Sequence, residues 1–319
     1  MEKEIARRAL FRRLGPKAQL AILCAHATLD PVKDFTRDPV FPDAFGTNKL
    51  DRVLAVGLAR IENAPPDNVP PSKILVRKQK SRFVLVYDGK HQVRVTKVLR
   101  DRCRSIYSGN EFDRDLWKAV YRYETLGMFS GMSASVLPSV YEGLRAAEPR
   151  ATECFAAFFN HTCPGGYYGL FPDVEKCFGC MGSFFAIRKP PPLMLCNPPF
   201  QTCVVNAFVH RVQDLLARKK CEALVVLPAF DVNDRKLLNA ECRDKQPVDY
   251  KTDMFYDRLR KSDHTRWHGM YCKDRFPYID IPSGKVIHYT STVVMYLSSY
   301  KTARHLTAVK KLLPEPNLE

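Results

Sequence analysis

The chain has 319 residues, enough for one large domain or two ordinary ones, with 45% of them hydrophobic and 26% charged. Those proportions exclude a disordered or collagen-like chain. No apolar run reaches the roughly 18 to 20 residues of a bilayer span, and even Cys221 to Phe230 is interrupted by Glu222 and Pro228. Fifty lysines and arginines against 34 acids leave a net charge of +16, which points to a polyanionic partner, nucleic acid ahead of a membrane surface.

The first thirteen residues carry Glu2 and Glu4 and no uninterrupted apolar segment, which fits neither a secretory signal nor a mitochondrial presequence. A reducing compartment is therefore expected, nucleus before cytoplasm. Eleven cysteines without a small-scaffold spacing then read as free thiols. Cys177 and Cys180 have zinc-ligand spacing but lack a second close pair, and are read as ordinary thiols.

In chain order, residues 1–62 read as an N-terminal helical region. Apolar stripes at Ile5, Leu10 and Leu14 and at Leu20, Ile22 and Leu23 are broken at Gly15-Pro16, and a further helix is expected from Lys49 to Ile61. Residues 63–72 hold four prolines in ten positions and form a linker or extended loop. Residues 73–135 then begin with a basic β-hairpin. Lys73 to Tyr87 is rich in Ile, Val and Phe, Asp88-Gly89 is a two-residue turn signal, and Gln92 to Val98 alternates again. A helix follows from Leu99 to Tyr107.

From Lys73 to Arg104 there are eleven lysines and arginines against Asp88 and Asp101, more than half of the excess charge of the whole chain. A solvated strand and helix face competes with a phosphate-contacting surface. The density favours the latter, with Arg77, Lys78, Lys80, Arg82, Lys90, Arg94 and Lys97 as the RNA-facing candidates.

The stretch from Phe112 to Leu144 is helical in pattern, interrupted by a loop at 127–135 and re-entered at Pro138. Residues 136–319 read as an α/β domain. Strands are expected at Glu153 to Ala157, Leu193 to Cys196, Ala223 to Leu227 and Thr290 to Leu297, with a helix at Val204 to Arg218, so that loops at the strand ends carry the site.

The sharpest motif is Asn197-Pro198-Pro199-Phe200, between a short apolar strand and a helix. A Pro-Pro corner after a buried strand is a plain turn in one reading. In the other it is chemical. The exocyclic amine of a purine is a poor nucleophile, because its lone pair is delocalised into the ring. The side-chain oxygen of Asn197 and the carbonyl of Pro198 can each accept one N–H and orient the lone pair. The prolines hold that carbonyl rigid, and Phe200 offers a face on which an extruded base stacks. A methyl donor needs its own pocket. The segment from Glu153 to Phe184 offers carboxylates at strand ends, glycines for close backbone approach and aromatics to face a sulfonium.

These motifs, in this order, resemble the phosphorylated-CTD-interacting factor family of cap-specific adenosine N6-methyltransferases. The resemblance runs from about Arg122 to Tyr300. It is carried by Arg122-Tyr-Glu-Thr-Leu-Gly, Leu137-Pro-Ser-Val-Tyr, Glu153-Cys-Phe-Ala with Asn160, Phe171-Pro-Asp with Phe178-Gly, Gly182-Ser-Phe and Asn197-Pro-Pro-Phe.

The resemblance implies a Rossmann-like class I methyltransferase domain beside helical and hairpin segments, with S-adenosylmethionine as donor and the first transcribed adenosine of capped mRNA as substrate. It implies that Asn197, Pro198, Pro199 and Phe200 carry catalysis, and that Glu153, Phe155, Asn160, Asp173, Phe178 and Gly179 line the donor pocket. The chain departs from the family at Thr202 and Ala229, where relatives carry acids. It also has only two tryptophans, Trp117 and Trp267, far apart where a WW module needs a close pair, so docking to RNA polymerase II is not expected. Adenine methylation of internal RNA or DNA, and an inactive cap-binding or RNA-binding subunit of the same fold, are the alternatives.

Two further features are weighed. His264 and His268 flank Trp267 at i, i+4 spacing on an expected helix, which suits a surface or RNA-facing cluster better than a metal. The aromatic run from Tyr271 to Tyr289 is read first as packing, and with Lys273, Arg275 and Lys285 as a second RNA surface.

Overall fold

A computed structural model describes residues 1–14, 59, 63, 74–126, 129, 134–199, 202–229, 255–281, 283–288 and 291–316. The helix expected at 49–61 and the proline-rich 63–72 segment lie outside these residues, except for 59 and 63.

Helix α1, Glu2–Leu14, places Glu2 and Glu4 in its first turn, where the helix dipole favours acids. The expected hairpin is a three-stranded antiparallel sheet, β1 (Ile74–Gln79), β2 (Arg82–Tyr87) and β3 (His91–Thr96). The run from Lys73 to Tyr87 is therefore two strands and not one. Lys80 and Ser81 turn the chain, with Lys80 at φ 50°, a turn that Ile, Val and Phe content could not reveal. Thr96 caps helix α2 (Lys97–Ile106), its hydroxyl accepting the Leu99 N–H at 3.1 Å. Helix α3 (Phe112–Thr125) packs on this sheet through Trp117, which is fully buried, stacks on Tyr121 at 4.3 Å and donates its indole N–H to the His91 carbonyl.

The expected loop at 127–135 ends in a short strand, β4 (Ala134–Val136), before Pro138 opens helix α4 (Pro138–Ala147) at the position where its missing N–H costs nothing. The remaining elements are β5 (Thr152–Cys154), β6 (Tyr167–Gly169), α5 (Pro172–Glu175), β7 (Cys180–Ser183), β8 (Leu193–Cys196), α6 (Thr202–Arg218) and β9 (Glu222–Pro228). After them come α7 (Phe255–Arg260), β10 (Thr265–Tyr271), β11 (Tyr278–Asp280), β12 (Lys285–Ile287), β13 (Thr292–Ser298) and α8 (Leu306–Leu312).

Seven strands form one sheet in the order β10-β13-β9-β8-β5-β6-β7. Strands β9, β8, β5, β6 and β7 are parallel, and β13 is antiparallel to both of its neighbours. The sheet is apolar on both faces. Met194 and Cys196 face one core with α3 and α6, while Leu193 and Leu195 face the other with α4 and α8. This double burial explains why β8 and β13 read as continuous apolar runs instead of alternating.

Strand β5 stops at Cys154, short of the expected Ala157, because Phe155 adopts φ 85° and the chain leaves the sheet there. The His264 and His268 region is strand and not helix. Four residues along a strand span about 13 Å, so the helical juxtaposition does not arise. Tyr271, Phe276 and Tyr278 pack in the core, as the packing reading expects. Seven described cysteines are free thiols, and Cys272 departs from that expectation by being disulfide-bonded. No helix among the described residues is long and apolar enough to cross a membrane.

One buried acid ties the turns around the carboxyl ends of β5 and β6. Oε1 of Glu175, which is fully buried, accepts the Phe158 N–H at 2.9 Å and the hydroxyls of Tyr123 and Tyr167 at 3.1 and 3.2 Å, and Oε2 accepts the Phe171 N–H at 3.4 Å. Burial pushes its pKa from 4.5 up to about 7, against these donors. The folded state thus favours the neutral acid. The contribution to stability is complete below pH 4.5 and is lost as pH rises through 7, on the order of 3 kcal/mol in all. Glu175→Gln keeps an acceptor toward three of the four donors. Urea melts from pH 4.5 to 8 are expected to show this loss in the wild type and a flatter profile in Glu175→Gln.

Candidate active site

The strand order reverses between β5 and β8, so the loops that leave their carboxyl ends diverge and open a crevice, the usual ligand position in doubly wound sheets. A small cleft of about 10 Å³, room for roughly one water molecule, lies there. Its lining includes Ser135 and Tyr141 together with Glu153, Phe155, Asn160 and Asn197. Four residues singled out in sequence therefore meet, drawn from the ends of two parallel strands and the loop after β5.

Asn197 follows β8 directly. Its Nδ2 donates to the carbonyl of Ala134 on β4 at 3.1 Å. That contact fixes the amide, since the flipped orientation would set oxygen against oxygen. Oδ1 is thereby directed away from the carbonyl. It is buried and has no hydrogen-bond partner among the described residues. An unmet buried acceptor costs roughly 1 to 3 kcal/mol, which a ligand N–H recovers.

Glu153 closes β5 and is 3% exposed. Its Oε1 accepts the Thr162 N–H at 2.6 Å, the Thr162 hydroxyl at 2.5 Å and the Cys163 N–H at 2.8 Å, which pins the loop after β5 back onto the strand end. Burial raises its pKa and these donors oppose the rise. Asn160 braces the same loop, its Oδ1 accepting the Ala157 N–H at 2.8 Å. Phe155 buries its ring against Phe184, Phe185 and Phe208, and the N–H groups of Phe155 and Ala156 both reach the Tyr168 carbonyl. A non-glycine residue at φ 85° is strained backbone held in place by packing, at the point where the cleft begins.

The other candidates lie elsewhere. Asp173, in the first turn after β6, is exposed and bound bidentately by Arg122 at 3.0 and 2.8 Å. Phe178 is fully buried among Tyr107, Phe112 and Phe158 and presents no face to the cleft. Gly179 follows it at φ 89°, a conformation that suits glycine, with open space where a Cβ would project. Pro198 is buried and Pro199 half-buried, neither of them lining the cleft, and Phe200 lies outside the described residues. The side chain of Thr202 is likewise outside them, while Ala229 is buried with its N–H on the Ser291 carbonyl. His161, beside Asn160, stacks on Tyr167 with burial lowering its pKa to about 4, a neutral ring at physiological pH.

Sequence reasoning missed Ser135, Tyr141 and the Ala134 carbonyl. Tyr141 belongs to the Leu137-Pro-Ser-Val-Tyr motif, which marked it without giving it a place. The carbonyl has no sequence signal.

The seven basic candidates are all exposed, but they do not form one surface. Arg77 and Arg94 are both register partners of Val84, one on each side of β2, and Arg82 lies two residues along on that same face. Lys78 is opposite Phe83 on the other face, Lys80 and Lys90 sit in turns, and Lys97 pairs with Asp101 at 2.5 Å.

A family model described as the phosphorylated CTD interacting factor 1 WW domain matches residues 94–269. Its name carries the WW module that the tryptophan count argued against. The matched residues here run from β3 to β10, with Trp117 in α3 and Trp267 in β10. The match covers more than half of the chain and all of the motifs from Arg122 to Asn197-Pro-Pro-Phe, so the chain belongs to the phosphorylated CTD interacting factor 1 family.

Proposed function

We propose that the chain is an S-adenosylmethionine-dependent methyltransferase acting on N6 of adenosine, with the first transcribed nucleotide of capped RNA as its substrate. The observation that carries this reading is the buried Asn197 Oδ1, an acceptor without a partner among the described residues, whose amide is locked by Ala134. Family membership supports the cap-related theme. At the level of fold, the support is a sheet which, numbered by its own strands, runs 6-7-5-4-1-2-3 with the seventh reversed.

S-adenosylmethionine, when bound, supplies a methyl carbon made electrophilic by the sulfonium. The residues present suit such a donor. Glu153, Phe155 and Asn160 wall the crevice, while Asp173, which the resemblance assigns to the donor, follows β6 in an exposed turn and does not line it. The described cleft has room for about one water molecule, so it marks where these side chains converge and does not itself enclose a donor or a substrate.

Asn197 performs one task. Its Oδ1 accepts one N6–H, which turns the nitrogen lone pair toward the donor and stabilises positive charge growing on nitrogen. Asparagine suits this better than aspartate. A carboxylate would face the Ala134 carbonyl with no proton to donate and would lose the contact that aims it. The face with Arg77, Arg82 and Arg94 supplies phosphate contacts for the RNA body.

Methyl transfer from labelled S-adenosylmethionine is expected to yield N6-methyladenosine in RNA that is capped and begins with A, but not in capped G-first or uncapped A-first RNA. Asn197→Ala should lower the rate roughly 100- to 1,000-fold. Equal labelling without the cap would make the enzyme a general adenine methyltransferase. Absent labelling with tight binding of capped RNA would make it a binding subunit. Replacing Arg77, Arg82 and Arg94 together by glutamine is expected to flatten the slope of log K against log salt by about 2, read by fluorescence anisotropy with single-stranded RNA.

A further inference from the structure

Strand β8 begins at Leu193, which is in register with Glu222 of β9, and Glu222 is in turn in register with Ser298 at the close of β13. The segments that flank these positions, Arg218 to Cys221 and Ser299 to Arg304, therefore meet at the end of the sheet opposite Asn197. About 13 Å of strand separates the two ends.

Hydrogen bonds stitch the two segments together. Ser299 donates its N–H to the Cys221 carbonyl at 3.1 Å, and its hydroxyl accepts the Cys221 N–H at 2.9 Å. The Tyr300 hydroxyl donates to the Lys220 carbonyl at 3.3 Å, and Arg266 of β10 donates through Nε and Nη2 to the Tyr300 carbonyl at 3.3 and 3.1 Å. Beneath them Glu222, fully buried, accepts the Ser298 hydroxyl and the Arg304 N–H, both at 2.9 Å, and holds Nδ1 of His305 at 2.6 Å. The turn that carries Arg304 is thereby fixed from below.

What this frame presents to solvent is positive. Lys219, Lys220, Lys301 and Arg304 are all exposed, and none of them has a carboxylate partner among the described residues. The Arg304 guanidinium lies 3.8 Å over the Tyr300 ring, and Nζ of Lys220 lies 5.7 Å from it. A guanidinium laid on a ring uses its face and leaves its N–H edge free, so the fork that matches a phosphate stays available. The neighbouring acids are committed, Asp214 to Arg211 and Arg218 and Glu148 to Arg150, and Asp263 stands at the margin as an exposed carboxylate. On the basic segment nearer the N-terminus, by contrast, Lys97, Arg100 and Arg114 each have an acid partner.

The large apolar side chains exposed among the described residues, Leu75, Val76, Val98, Met181 and Val286, all lie elsewhere. The surface thus lacks the apolar anchors on which a protein interface rests, and Tyr300 is half-buried beneath Arg304. Charge without such anchors suits a phosphate backbone, which is bound without regard to sequence.

We propose that Lys219, Lys220, Lys301 and Arg304 form a second phosphate-binding surface, which takes the backbone of the RNA beyond the nucleotide held at the crevice. This rests on the reading of the substrate as RNA. It gives a binding role to Lys301 and Arg304, which lie outside the matched family segment.

The test uses the full chain and two capped, A-first probes, a dinucleotide too short to reach the far end of the sheet and an RNA of about 20 nucleotides. Binding is followed by fluorescence anisotropy, and methyl transfer gives KM and kcat. Replacing the four cations together by glutamine is expected to weaken the longer RNA at least tenfold and to raise its KM in step, with kcat little changed. The slope of log K against log salt should flatten by about 3, at about 0.7 for each single-strand phosphate contact. The capped dinucleotide should show neither change. Unchanged affinity and slope for the longer RNA overturn the proposal, and so does an equal loss with the dinucleotide. If the substitutions instead release a polyglutamate peptide and leave RNA binding intact, the surface belongs to an acidic protein and the proposal falls. Should the fourfold variant fail to fold, Lys219→Gln with Lys301→Gln, which leaves the Tyr300 ring and Glu222 untouched, is expected to flatten the slope by about 1.4, and an unchanged slope overturns the proposal. A wild-type chain that binds neither probe overturns the RNA reading and this proposal together, whereas wild-type binding that the substitutions leave unaffected removes only the proposal.

Discussion

A primary amide is held in one orientation when its nitrogen is engaged, and at Asn197 that engagement is one hydrogen bond to the carbonyl of Ala134. Much of the architecture around the crevice serves this contact. Strand β4 brings the carbonyl, and β4 is held by antiparallel pairing to β11, with Ala134 in register with Asp280. The large sheet delivers Asn197 at the end of β8, whose neighbour β5 ends at Glu153 and Cys154. The two sheets meet at the amide.

The same economy governs the buried charges. Arg122 lies between Glu4 and Asp173, Glu153 collects three donors from the loop after β5, and Glu222 accepts from the Ser298 hydroxyl, the Arg304 N–H and His305. Each takes its partners from a different element, so an ion in the core also acts as a clamp between elements. Glu175 is the contrasting case. Its donors are neutral tyrosines and backbone amides, and with no cation paired to it among the described residues burial prevails and the acid is held toward its neutral form.

The legible parts of the sequence were those with a local cause. The Leu193 to Cys196 strand was read with its observed bounds, and the helix ending at Arg218 and the strand from Thr292 lie within two residues of expectation, because continuous apolar runs and 3.6-residue stripes are properties of the segments themselves. That Asn197, Glu153, Phe155 and Asn160 converge on one cleft has a different reason, since the ends of neighbouring parallel strands bring together the short motifs that follow them. Where local signals failed, backbone dihedrals had prevailed over side-chain content. The Lys80 turn split one apolar run into two strands, and the left-handed Phe155 cut β5 short. The histidines around Trp267 carry helical spacing in a segment that edge pairing with β13 makes a strand.

The sequence by itself determined the folded α/β character of the chain, its excess of positive charge, the Asn-Pro-Pro-Phe corner and the family to which these belong, all of them features of composition or of a few adjacent residues. Tertiary structure alone decided which partners those residues meet. Asp173 was read as a donor contact, and the structure places it outside the crevice with its carboxylate on Arg122, which also holds Glu4. Phe178, marked beside it, is sealed in the core. The seven basic candidates were one segment in sequence, and strand pairing sorts them into an arginine face and scattered lysines. The orientation of Asn197 depends on a backbone carbonyl 63 residues earlier, and a backbone atom has no letter in the sequence.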